Sequence, residues 1–107
     1  MNAVILQPTH NLDLKLAAMM REKVSNLGRS PYQHWLIDLE NVNAIGNAGL
    51  LTLLEAHKFA LKTGRRLSLF NLRSSVAYLL QVTELDRRLV VGDPDASTIA
   101  MAARIVF

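Results

Sequence analysis

The residues best spaced for chemistry lie in the stretch Asn43-Ala-Ile-Gly-Asn-Ala-Gly-Leu50. An alternating apolar run, His34-Trp-Leu-Ile-Asp-Leu39, precedes it, and a helical pattern over 50–62 follows. A strand, a short glycine-bearing turn and a helix in succession present backbone N–H groups at a helix N-terminus. That setting accepts a phosphate, another anion or a partner's acidic side chain. Gly46 and Gly49, three apart and with no Gly-Lys-Ser/Thr, are a weak nucleotide signal. They equally permit a tight turn and close packing of helix on sheet. His10, His34 and His57 fall on different elements, and no pair has the one-turn spacing of a helical metal site, so structural roles are expected. Asp13 reads as a helix cap and Asp38 as a holder of the turn after its strand. No Ser-His-Asp set, paired carboxylates or Cys-His arrangement stands out, and the chain reads as a non-enzyme without metal or cofactor.

The elements that position these residues follow from periodicity. Residues 3–6 form a short apolar run ended by Gln7-Pro8, a strand stopped by proline. A helix from Asp13 to about residue 27 places Leu16, Met20, Val24 and Leu27 on one face, and Gly28 suits the position past its end. Residues 34–39 read as a strand covered on both faces. The helix after the junction closes at Gly64, a residue free to turn left-handed. Residues 67–70 and 88–91 supply two more strands, and Ser74 or Ser75 caps the helix between them. After Gly92-Asp93-Pro94 the pattern predicts a last helix over 96–104. Strands alternating with helices over short links argue for one α/β domain spanning 1–107. Its mixed, mostly parallel sheet would have about four strands, with four helices packed against it.

Length and composition bound the function. The 107 residues are one domain's worth, half of them apolar, and no apolar run approaches the roughly 18 residues of a membrane span. Nothing at the N-terminus has the layout of a signal peptide. The absence of cysteine excludes disulfide and thiolate chemistry and fits the cytoplasm. The net charge of +3 is spread evenly, with six basic residues on each side of Gly64, so a solvated surface is expected rather than a nucleic-acid groove.

The spacing of these pieces resembles the STAS domain family, which includes bacterial anti-sigma-factor antagonists and cytoplasmic domains of some anion transporters. The resemblance runs from Val4 through Leu12-Asp13, Met20-Arg21-Glu22, Leu36-Ile-Asp-Leu39, Val42, Ile45, Gly49-Leu50, Leu53-Leu54 and Gly64. It continues in Leu67-Ser-Leu-Phe-Asn71, Val76, Leu79-Leu80 and Thr83-Glu-Leu-Asp86. The family usually opens with a two-strand hairpin, and only one strand fits before Pro8. Its signature Asp-Ser-Ser-Gly-Leu or Asp-Ser-Thr-Gly-Leu carries the phosphorylated residue in its first Ser or Thr. Matching Gly49-Leu50 to that signature puts Gly46 at the Asp position, Asn47 at the phosphorylated position and Ala48 at the next. Asn47 has no hydroxyl, so the usual switch is lost there. Its amide has a reach similar to serine's and could cap the helix through its oxygen.

The resemblance implies a protein-binding module without nucleic-acid contact or membrane insertion. Its docking surface would be Asn11 and Asp13 in one loop with Gly46, Asn47, Ala48, Gly49 and Leu51 at the junction. Leu51 projects with Glu55, Lys58 and Lys62 rather than with the buried side of its helix, and Phe59, sharing a face with Thr52 and Thr63, is a further candidate contact. The implied partner is an anti-sigma factor of the histidine-kinase-like class, in transcriptional regulation by partner switching. Alternatives are an accessory role toward an ABC-type transport ATPase and a nucleotide- or ligand-sensing role. A homodimer is compatible with each.

Overall fold

The computed structural model describes residues 2–107. Strand β1 (Ala3–Gln7) and the strand after it, β2 (His34–Asp38), are buried along almost their whole length, as their unbroken apolar runs require. Between them runs helix α1 (Leu14–Leu27), capped by Asp13, whose carboxylate accepts a hydrogen bond from the Leu16 N–H at 2.9 Å. Helix α2 (Asn47–Lys62) leads to β3 (Arg66–Phe70), and α3 (Ser74–Val82) with a 3₁₀ turn over Leu85–Arg87 leads to the two-residue β4 (Val90–Val91). The short helix α4 (Ala96–Met101) is capped by Asp95 and precedes β5 (Ala103–Val106). The Asp95 carboxyl is held below the usual carboxylate range, first by the Thr98 backbone N–H that it accepts.

All five strands pair in parallel, in the order β4-β3-β2-β1-β5. Parallel neighbours need crossover connections, which α1, α2 and α3 supply as the sheet grows from β1 toward β4. The next connection reverses direction and carries the chain back across the sheet to the free edge of β1. Where crossovers keep one hand, such a reversal moves the helix to the opposite face. The pleat sorts the residues accordingly. Val4, Leu6, Trp35, Ile37, Leu67 and Leu69 join the buried faces of α1, α2 and α3 in the main core. Ala3, Ile5, Leu36 and Phe70 form a small second cluster against Ala102, just after α4.

The expected β-α alternation is present, and the sheet, expected as mixed and mostly parallel, is parallel throughout. The sheet has five strands rather than about four, because the run expected as helix over 96–104 divides at Ala102. Ala100 to Ala102 are good helix formers, but ladder pairing with β1 captures the residues that follow. The strand expected over 88–91 shortens to its last two residues. Ser74 and Ser75 do not cap α3: Arg73 holds the cap position without a side-chain bond, and Ser75 donates instead to the Asn43 carbonyl at 2.8 Å. Gly64 is left-handed at φ 76°, as expected, whereas Gly28 is ordinary helical backbone at φ −61°. Gly28 serves packing, since a Cβ there would lie 2.7 Å from the Phe59 ring.

Candidate functional site

The loops after β1 and β2 both leave the carboxyl ends of adjacent parallel strands, where open α/β sheets form their binding crevices. Backbone and side-chain bonds join them. The Leu12 N–H donates to Ala44 O at 3.0 Å, and the Gly46 N–H donates to Leu12 O at 3.1 Å, making a short parallel bridge between Leu12 and Ile45. The Asn11 carboxamide oxygen accepts from the N–H groups of Asn43 (2.9 Å) and Ala44 (3.1 Å). Leu12 and Ile45 are buried beneath, while Asn11 and Asp13 remain exposed. Two segments more than 30 residues apart thus form one surface.

Gly49 fixes how closely the helix approaches. A Cβ at that position would sit 2.5 Å from Leu12 O and 2.8 Å from the Ile45 side chain. Gly46 lacks this constraint, since a Cβ there would meet only Leu12 O at 3.9 Å, and its backbone is extended at φ −82°. The two glycines therefore have different roles: Gly49 permits contact, and Gly46 is the N-cap. Gly46 has no side chain to cap with, and Asn47 is already inside the first turn with no side-chain cap bond. The expectation that the Asn47 oxygen caps α2 is thereby corrected. The side chain is exposed and makes no bond among the described residues, and the first-turn N–H groups have no side-chain partner among them.

Leu51 stands 55% exposed on the next turn, and Leu14, following Asp13, is 76% exposed. Ala48 is half-buried. Asn11, Asp13, Gly46, Asn47, Ala48, Gly49 and Leu51 therefore lie on two bonded loops and the first turn of one helix. Phe59 is not a free surface residue: its ring packs on Trp35 at 5.9 Å between centroids and abuts Gly28. Thr52 is 2% exposed, its hydroxyl unpartnered among the described residues, and so is not a surface modification site.

Several residues that hold the site carried no signal in the sequence. Asp38, buried at the end of β2, accepts from the Glu40 N–H at 3.0 Å and from the Asn71 amide at 3.2 Å. Its other oxygen takes Arg104 of β5 at 3.3 Å, and Arg104 also donates to Gln7 at 3.0 Å. Arg73 donates to Glu40 O at 2.6 Å. Together with Ser75, these bonds fasten the segment between β2 and α2 from three sides. Sequence showed Asp38 as a turn holder. Only the fold reveals Arg104 and Asn71 as its partners, and Arg73 and Ser75 as supports of the segment that follows it.

His10 bonds Thr9, His34 bonds Ser68, and His57 keeps a buried, unpartnered Nδ1. Among the described residues no three His, Cys, Asp or Glu side chains stand together as a metal site. No helix among them is long and apolar enough to cross a membrane.

A five-stranded parallel sheet with its crossover loops bonded at the carboxyl ends of β1 and β2 defines an α/β domain with a prepared surface at that edge. The chain belongs to the STAS domain family, whose model matches residues 1–100. Its fold is similar to the crystal structure of a Thermotoga maritima protein, tm1081, described as a candidate anti-sigma factor antagonist. That likeness has a TM-score of 0.80 and 22% identity, covering 92% of this chain and 86% of the other. The NMR structure of TM1081 gives a TM-score of 0.79 at 22% identity over 94% and 81% of the two chains. Unphosphorylated SpoIIAA, described as an anti-sigma factor antagonist, gives 0.69 at 14% identity over 92% and 86%. Among curated proteins, nothing matches the chain significantly.

Proposed function

We propose that this chain is a non-enzymatic docking domain of the anti-sigma-factor-antagonist type that binds without a phosphorylation switch at position 47. The observation carrying the reading is the joined surface itself, with Asn11 and Asp13 beside Asn47, Ala48 and Leu51. The surface is prepared by backbone bonds at Leu12, by the bonded Asn11 side chain and by the Gly49 contact, so little ordering cost falls on binding. In the unmodified state a serine at this position would be neutral, as Asn47 is. A phosphate would add about −1.5 to −2 charges at the same place. The chain is thus fixed in the neutral form. The partner is a cytoplasmic anti-sigma factor of the histidine-kinase-like class, and no cofactor takes part.

Leu51→Asp tests the surface. It should weaken partner binding at least about tenfold, equivalent to roughly 1.4 kcal/mol, while leaving the melting temperature unchanged. Unchanged affinity removes Leu51 from the interface. Affinity capture with the wild-type chain should recover a kinase-like protein that is lost with Leu51→Asp. Recovery of an ABC-type ATPase instead would replace the partner while keeping the surface, and phosphate placed on the intact native protein by its own kinase would sink the switchless reading.

A further inference from the structure

The second face of the sheet is unevenly covered. α4 lies near β1, and only four buried residues with Ala102 make up the apolar cluster there. Over β2, β3 and β4 the register brings polar residues onto this face: His34 pairs with Arg66, Leu36 with Ser68, and Ser68 with Val90. The segment Gly92-Asp93-Pro94 borders them in an open cavity of about 200 Å³. His34 and Arg66 begin their strands, so in a parallel sheet this cavity lies at the end opposite the docking surface.

Three features within it point to a ligand. The Arg66 guanidinium has no ion-pair or hydrogen-bond partner among the described residues, although it lines the cavity. His34 Nε2 lies 2.9 Å from Ser68 Oγ, a hydrogen bond whose direction follows the histidine tautomer. The His34 imidazole is held below the usual histidine value, first by burial and then by the charge of Arg66. A cation without a counterion thus stands beside a histidine that it helps to keep neutral.

We propose that this cavity binds a small tetrahedral oxyanion, with Arg66 supplying the charge, Ser68 a hydroxyl donor and His34 a proton taken up on binding. An anion beside Arg66 offsets the repulsion on the imidazole and favours its charged form. With the proton on Nε2, His34 donates to Ser68 Oγ, and the Ser68 O–H is free to donate to the anion. Leu36 lines the buried floor of the same space, and the half-exposed Val90 borders it. The Asp93 carboxylate at the rim has the wrong sign and sets a limit on affinity. Binding therefore tightens as the pH falls toward the point where His34 protonates.

The test uses the whole chain, following the His34 and His10 side chains by NMR from pH 5 to 8. Sodium sulfate is compared with sodium chloride at matched ionic strength, since sulfate keeps its charge across this range. His10 is exposed and serves as the internal control. The His34 midpoint should rise in sulfate by roughly half a pH unit or more, as an opposite charge a few ångströms away requires, while His10 stays within error. Arg66→Gln should raise the His34 midpoint in chloride and abolish the sulfate response. The proposal is overturned if both histidines move together or neither moves, or if Arg66→Gln keeps the full response.

Discussion

Gly49 shapes the proposed docking surface more than any side chain on it. Its missing Cβ lets α2 rest against Leu12 O, and that approach brings the Asn11 loop and the junction together. Gly49→Ala forces a methyl group to 2.5 Å from a backbone oxygen, which cannot move without shifting the bridge between Leu12 and Ile45. Overpacking of this kind costs about 1–3 kcal/mol. Chemical denaturation should show that loss for Gly49→Ala and almost none for Gly46→Ala, whose added methyl finds room and whose backbone is extended. Equal effects from both changes would contradict the assignment of distinct roles. Position 47 shows a different residue-level rule: an amide in the first turn is neutral whether or not it bonds, so this position keeps one charge state. Thr52 shows that a hydroxyl near the junction is not therefore accessible, because burial removes it from any modifying enzyme.

Among the elements, β5 stands out, since it pairs along the edge of β1 away from β2. Its register runs from Val4 against Ala103 to Gln7 against Val106, and Arg104 ties it inward through Asp38 and Gln7. Arg104 is partly exposed while Asp38 is buried, so water screens the pair on one side only. Arg104→Gln should cost about 1 kcal/mol after that screening, because Asp38 keeps its bonds to Glu40 and Asn71. Amide exchange should show the loss as faster opening of Val106 and of the turn at Glu40, with α1 unchanged. If only the strand responds, the link from β5 to the turn after β2 does not hold. The same element explains why its helix was over-extended from sequence. Ala-rich propensity favours continuing a helix through Arg104, yet an unpaired edge on β1 offers a ladder that propensity cannot weigh.

Across the whole molecule, stability should grade outward from the centre of the sheet. β1, β2 and β3 are flanked on both edges and packed by α1 and α2, while β4 has two exposed residues and α4 only six in all. Amide exchange should accordingly be slowest in Ile5, Leu36 and Leu69 and fastest in β4 and α4. Uniform protection would show that the sheet opens as one unit. The proposed docking surface sits over the slow region, which suits a site that binds as a preformed shape, and the proposed oxyanion cavity borders the faster one. The sequence by itself determined the β-α alternation, the Asp13 cap, the left-handed close at Gly64 and the exposure of Leu51, because each depends on periodicity or on one residue's backbone preference. It also placed an amide where the STAS pattern has a hydroxyl. Only the tertiary structure decided that β5 pairs with β1, that Gly49 rather than Gly46 sets the helix approach, and that Arg104 and Asn71 hold Asp38. It likewise brought His34, Arg66 and Ser68 into one cavity. Those outcomes come from strand pairing and from contacts between residues far apart in the chain, whose energies no local window contains.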